Sequence, residues 1–404
     1  MMEIAGEADI AEAPRSRVGS EIAIFDFLSH EDMHHAFNEG YLRLVRAAFP
    51  SDRIVFRAVR GHADRLAPRI VDMEGVELEA APPFFVPLGL SRHNPIAGRW
   101  AARQCLAFMA EAVASRSPRL TALLGVDANL FATVGQKWPA RSASPLHMIL
   151  HGQLGRTLIG RSRNPVFRAG DFVSAVGRKL PAEVRLVALE LGVPEAIREI
   201  APALVPSIVT LEHPILAREW GPEPPAEPNP VPRIGFLGHA RLTKGFAVFA
   251  DLANACARPD LEFLAIGVGS SETGELDMSA LTVKPSPTPL PRHAYLAGLA
   301  EIDLVCLPLH GRVYDFTASG TVSDAIAALK PLIAFRNRTL DAIVYQYGEI
   351  GYLVDSREAM FALVRSFDHA DFARRRPGWI TNLRKIRDAR RPEALAAGYR
   401  TTIR

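Results

Sequence analysis

The sequence has no long apolar run. No stretch reaches the ~18 residues that a membrane-spanning helix needs, so a helical span is not expected. Cysteine is scarce: Cys105, Cys256 and Cys306 lie far apart in apolar segments. Their spacing fits no zinc site and reads as buried thiols in a reducing compartment. One-sided charge is also missing. Lys and Arg number 47 against 44 Asp and Glu, a net charge of +3, too little to argue for a nucleic-acid partner. No D-x-D motif asks for a metal. The opening MMEIAGEADIAEAPRSR is acidic and lacks the apolar core of a signal peptide; residues 1–20 read as a disordered leader.

What is present is a chain of 404 residues, 48% hydrophobic. That length is too long for one ordinary core and suits two α/β domains. REWGPEPPAEPNPVPR, Arg218 to Arg233, marks the boundary, because proline fixes φ and removes donors. Short β-branched runs alternate with amphipathic segments on both sides of it, the pattern of parallel sheets flanked by helices. The expected division is an N-terminal domain over 21–217, a linker over 218–232, a C-terminal domain over 233–368 and a helical segment over 369–404. In the first half, strands are expected at Glu21–Leu28, Arg53–Arg57, Arg119–Gly125, Leu146–Leu150, Asp171–Ala175, Val184–Glu190 and Ser207–Leu211. A helix from His30 to about Phe49 would be capped by Ser29 and Asp32. In the second half, strands are expected at Arg233–Leu237, Glu262–Gly267, Asp303–Pro308, Pro331–Phe335 and Gly351–Val354.

Two loops of the second half suggest a phosphate site. Gly238-His239-Ala240-Arg241-Leu242-Thr243-Lys244-Gly245 follows a strand and precedes a helix, at the sheet edge where open α/β folds bind ligands. Its glycines allow close backbone approach, and Arg241 and Lys244 can reach one anion together. A tight turn with two solvated cations explains the same residues. The second loop leads through Ala318, Ser319, Gly320 and Thr321 into a helix that buries Val322, Ile326 and Leu329. The free N–H groups and dipole of that first turn favour an anion. Asp324, one turn further, can accept hydrogen bonds from a ribose diol, or can simply offset the dipole.

Together these loops resemble the donor domain of GT-B glycosyltransferases, most closely family 4-like enzymes, over about Val231 to Phe367. The family loop G-x-x-R-x-x-K-G, which holds the donor diphosphate, matches Gly238, Arg241, Lys244 and Gly245. Its segment E-A-x-A-x-G-K-P matches Asp324-Ala325-Ile326-Ala327-Ala328-Leu329-Lys330-Pro331, which implies ribose binding by Asp324. The tail G-x-x-G-x-L-V is visible as Gly348-Glu349-Ile350-Gly351-Tyr352-Leu353-Val354. The family's E-x7-E pair would place an acid at Phe316, where only the neighbouring Asp315 is acidic. The Ser319-Gly320 turn is similar to that of relatives that bind phosphate in this way.

The first half offers strand-end polar residues. His151, after the strand Leu146–Leu150, is similar to the cleft histidine of family 4-like enzymes that contacts the donor sugar. Asp127 could serve as a general base or cap a helix. His213-Pro214 ends the last strand of this half and shapes the turn into the linker or touches the cleft. His30-Glu31-Asp32-Met33-His34 fits H-E-x-x-H, which on a helix would pair two histidines for zinc. At the start of a helix, unpaired N–H groups disfavour a cation, so His30, His34 and Asn38 read instead as acceptor-side residues. Arg92, Arg99, Arg103, Arg116, Arg119, Lys137, Arg141, Arg156, Arg161, Arg163 and Arg168 form either a solvated surface or a patch for an anionic membrane or lipid diphosphate.

The sequence therefore predicts two doubly wound, Rossmann-like α/β domains facing across a cleft. The resemblance implies a metal-independent, cofactor-free transferase moving a sugar from a nucleotide diphosphate sugar to a hydroxyl of a glycan or lipid-linked acceptor. It would act in the cytoplasm, peripheral to the inner membrane face. A nucleotide-sugar epimerase on the same fold, or a non-catalytic nucleotide-sugar-binding partner protein, would share these features.

Overall fold

A computed structural model describes residues 20–30, 33–82, 95–138, 144–151, 180–217, 223–309 and 311–403. Residues 1–19 of the leader, the strand expected at Asp171–Ala175, Glu31 and Asp32, the start of the linker, and Arg92, Arg141, Arg156, Arg161, Arg163 and Arg168 lie outside those residues. Two sheets, both wholly parallel, organise the rest. The first contains β1 (Glu21–Asp26), β2 (Arg53–Ala58), β3 (Val76–Ala80), β4 (Leu120–Leu124), β5 (Leu146–Leu150), β6 (Val184–Ala188) and β7 (Ile208–Thr210), ordered β3-β2-β1-β4-β5-β6-β7. The second contains β8 (Arg233–Leu237), β9 (Glu262–Ile266), β10 (Leu304–Leu307), β11 (Leu332–Phe335) and β12 (Gly351–Val354), ordered β12-β11-β10-β8-β9. In both, the strand order reverses beside the first strand, between β1 and β4 and between β8 and β10. A crevice opens at such a reversal, at the carboxyl ends of the strands.

Each sheet is covered on both faces, and the period of two along a strand shows it. On β1, Ala23 and Phe25 enter one apolar cluster while Ile22 and Ile24 enter the other. On β10, Val305 and Leu307 alternate in the same way with Leu304 and Cys306. The helices relevant below are α1 (His35–Ala48), α2 (Pro95–Arg116), α3 (Phe246–Ala255), α4 (Arg292–Glu301), α5 (Gly320–Ala327), α6 (Arg338–Tyr347), α7 (His369–Ala389) and α8 (Pro392–Thr401). The three cysteines are free and buried. Among the described residues no helix is long and apolar enough to cross a membrane.

The second-half strands fall within one residue of expectation. The first half differs in two places. β3 was not expected: VELEA is an edge strand whose Glu77 and Glu79 pair with Arg53 and Arg57 of β2, so its solvent face hides the apolar signal. The first helix starts at His35, not His30. A turn bonds Met33 N–H to His30 O, and His34 takes left-handed backbone angles, φ 58° and ψ 15°. His30 and His34 therefore do not share a helical face, which removes the geometry H-E-x-x-H needs for zinc.

The chain end returns to the first sheet. Tyr399 of α8 bonds Tyr41 of α1 hydroxyl to hydroxyl, and His147 Nδ1 of β5 lies 2.9 Å from Tyr399 Oη. Ala396 and Tyr399 join the apolar cluster under α1.

Candidate functional site

The loop after β8 begins at the strand reversal of the second sheet. Gly238 has φ 84° and Gly245 φ 77°, angles that glycine reaches without a Cβ penalty. Gly245 starts α3 against β10, where a Cβ would collide with the carbonyl of Pro308. A Cβ on Gly238 would lie 3.2 Å from Thr321 Cγ2 and 3.7 Å from Lys244 Nζ. The two glycine loops thus meet, with the Lys244 ammonium and the first turn of α5 on either side of a bare backbone. Burial, and then the nearby charge of Arg241, hold the Lys244 ammonium below its ordinary pKa, with Asp324 opposing them. Arg241 itself is exposed.

α5 begins where the sequence places it. Ser319 is its N-cap, accepting from Val322 N–H at 3.5 Å, and Ser319 Oγ lies 2.8 Å from Thr321 Oγ1. Asp324 faces α4, where Tyr295 Oη donates to it at 2.8 Å and Arg292 pairs with it at 3.2 Å. Burial and the Asp324 carboxylate push the Tyr295 phenol well above its usual range. Sequence reasoning missed Arg292 and Tyr295. They stand three apart at the start of another helix, and nothing local links them to an acid about thirty residues on.

The face of α5 that carries Gly320, Ser323 and Asp324 looks across a cavity of about 270 Å³ at His34, Phe37 and His213 of the first half. Phe37 is the hub of that wall. His151 meets its ring edge-on at 4.1 Å, His213 at 5.1 Å, and His34 lies 4.6 Å from His151. Burial lowers all three imidazoles, His213 to about 4 and His151 well below its ordinary value. All three are neutral at pH 7. His151 stands one ring away from the cavity, whose wall Phe37 and His34 form.

Other candidates sit elsewhere. Asn38 is fully buried; its amide binds Asp26 Oδ2 at 2.8 Å and lies 2.8 Å from His62 Nε2. It ties α1 to the end of β1 and does not face the cavity, a correction to the acceptor-side reading. His30 is exposed and is not part of the cavity wall. Asp127 caps the short helical turn after β4, accepting from Leu130 N–H at 2.8 Å; its carboxylate serves the backbone. Arg116 pairs with Glu21 and Arg119 with Asp52 at the opposite, amino-terminal edge of the first sheet, so these two do not belong to a free basic patch. Phe316, where the resemblance expects an acid, is 5% exposed and packs into a core cluster of the first half. Asp315 accepts from Arg338 N–H at 2.8 Å.

Two parallel sheets, a cleft between them, and a final helix packed on the first sheet define the GT-B fold of glycosyltransferases. Solved structures agree. Anabaena HepE in complex with UDP and glucose is 14% identical over 95% of this chain and 99% of its own, with a TM-score of 0.63. WaaG, a glycosyltransferase involved in lipopolysaccharide biosynthesis, is 10% identical over 95% and 99%, with a TM-score of 0.61. The E. coli trehalose-6-phosphate structure bound with UDP-2-fluoro glucose is 8% identical over 95% and 99%, with a TM-score of 0.62. No protein-family model matches the chain, and no curated protein matches it in sequence.

Proposed function

We propose that this protein is a glycosyltransferase that binds a nucleoside diphosphate sugar on the loops of its second sheet and transfers the sugar to an acceptor hydroxyl. The observation that carries this reading is the meeting of the Lys244 ammonium, the bare Gly238 backbone and the first turn of α5 at the strand reversal. A cation, free N–H groups and room for close approach are what a diphosphate requires. Arg241, exposed beside Lys244, supplies a second cation. Ser319, Gly320 and Thr321 present the helix-start donors. Asp324 lies one turn on, with Tyr295 fixing its carboxylate, and is the residue we assign to the ribose. HepE, which shares the fold, holds UDP and glucose.

In this arrangement the protein stabilises the charge that develops on the leaving diphosphate as the glycosidic bond breaks. Neutral imidazoles belong to the opposite wall, where His34 would face the sugar and acceptor, with His151 packed one ring behind it. The acceptor we favour is a glycan or lipid-linked saccharide, reached from the first half, with the exposed Arg99, Arg103 and Lys137 available to an anionic membrane surface. A second reading draws on Phe316. Its burial in place of an acid favours a protein that binds a nucleotide sugar without turning it over, and a release assay for free nucleotide separates the two.

The direct test is calorimetry with UDP, GDP and ADP and their nucleosides. Lys244→Ala and Arg241→Ala should each weaken diphosphate binding by about 1.5–3 kcal/mol, the worth of a charge-assisted contact, and leave nucleoside binding unchanged. Equal weakening of nucleoside and diphosphate would remove these cations from a phosphate site.

A further inference from the structure

Asp324 already has partners within the chain, and they are unequal. We infer that Arg292 is a partner-swapping cation: it pairs with Asp324 within the chain and turns to the diphosphate when a nucleotide's ribose takes the carboxylate. This deepens the donor-site reading and rests on it.

The two contacts differ in strength. Tyr295 Oη donates to Asp324 Oδ2 at 2.8 Å, from a ring packed against the core of the second half. Burial, and then the Asp324 charge, keep that phenol protonated, so it is a donor at any working pH. This bond fixes one carboxylate oxygen. Arg292 holds the other, Oδ1, at 3.2 Å, and the two side chains are 40% and 24% exposed. A solvated ion pair between flexible side chains is weak. The Arg292 contact is therefore the one that a ribose hydroxyl can displace, while Tyr295 keeps the carboxylate in place.

The position of Arg292 favours such an exchange. It is the first residue of α4, behind Pro291, and the first turn carries no acid. The helix dipole opposes a cation there. Its own helix thus gives the guanidinium no electrostatic support, and Asp324 of α5 does. The guanidinium carbon lies 5.1 Å over the Tyr295 ring, a flat seat on which it can turn and keep its stack. On the cavity wall Arg292 stands with Gly320, the first residue of α5, and with Asp324. The Asp324 charge also acts on the Lys244 ammonium, so the carboxylate stands between cations of two elements. A diphosphate at the start of α5 would offer Arg292 an anion of higher charge than the carboxylate it gives up.

The test is calorimetry on the full chain with UDP, GDP and ADP and with their nucleosides, for the wild type, Arg292→Ala and Arg292→Lys. Nucleosides too weak to titrate directly are measured by displacement of the nucleotide. A swap makes Arg292→Ala act in opposite directions on the two kinds of ligand. The nucleoside has to displace Arg292 and offers it nothing, so it should bind about 2- to 5-fold more tightly, the worth of an exposed pair. The diphosphate loses a cation and should bind about 10-fold more weakly, with part of that loss recovered in Arg292→Lys. Weakening of both ligands, a change in the diphosphate alone, or no change in either overturns the swap and leaves the diphosphate to Lys244 and Arg241. No binding of any of the three nucleotides overturns the donor-site reading and the swap with it.

Discussion

Leu329 ends α5 at φ 54° with its side chain fully buried. Lys330 N–H bonds Ala325 O at 2.9 Å and Leu329 N–H bonds Ile326 O at 3.1 Å, the double closure of a Schellman turn. The resemblance has glycine here, and a left-handed residue with a Cβ costs roughly 1–2 kcal/mol. Leu329 offsets that cost by filling the core between α5 and the second sheet, since emptying a leucine site costs about 2–5 kcal/mol. Leu329→Gly should therefore lower stability, by about 1–3 kcal/mol, in urea titration; a rise in the midpoint would show that backbone strain outweighs packing. At this scale the two loops that meet at the strand reversal were legible as turns into helices, because Gly238, Gly245 and the Ser319 cap stand where the spacing puts them; that they hold a donor is the proposal. Arg292, Tyr295 and Ser323 were not legible. Their meaning comes from what α4 and the first half bring opposite them, which no spacing encodes.

Among the elements, α8 depends on a polar contact inside an apolar slot. Tyr399 reaches His147, whose Nε2 is buried without a partner. Burial, and then the charge of Arg185, lower the His147 pKa from 6.5 to about 4. The unfolded chain therefore binds more protons than the folded one between about pH 6.5 and pH 4. Stability must fall with falling pH across that window, by at most ~1.4 kcal/mol per pH unit for one histidine, and level off below it. His213 is lowered in the same direction, so His147→Phe should reduce the slope without abolishing it. Urea midpoints from pH 7.5 to 4.5 measure this, and an unchanged slope in the variant would take His147 out of the account. Strands buried on both faces were readable from composition because their centres are apolar runs, Ile22 to Phe25 in β1 and Leu304 to Leu307 in β10. β3 was not, since its exposed face alternates glutamates that read as a loop. The start of α1 was misread because His34 turns left-handed where a helical pattern continues on paper.

The halves of the molecule are joined by a buried ionic lock. Arg390, at the end of α7, has no exposed surface and binds Glu190 through two bonds of 2.9 and 2.7 Å, with Glu212 at 3.1 Å. Ile215 N–H also bonds Arg390 O at 2.8 Å, and Arg338 of α6 pairs with Glu199 of the first half. Removing the guanidinium would leave the buried Glu190 carboxylate, with the half-buried Glu212 beside it, without its cation, and breaking such a pair from one side costs about 3–5 kcal/mol. Arg390→Ala should lower stability by that amount in urea titration. Arg390→Met with Glu190→Leu should recover much of it, because an apolar pair of similar volume avoids the desolvation cost. If the double variant is no better than the single one, the contact matters through Glu212. None of this pairing was visible in sequence, where its partners lie far apart. The return of α8 also sets an order of events during synthesis. β1 to β7 leave the ribosome long before residues 392–401 exist, and the slot between Tyr41 and His147 has nothing to fill it until they do. The half made first is thus the half completed last. Until then its apolar seam stays open, and the nascent chain is exposed to misassociation longest where it is oldest.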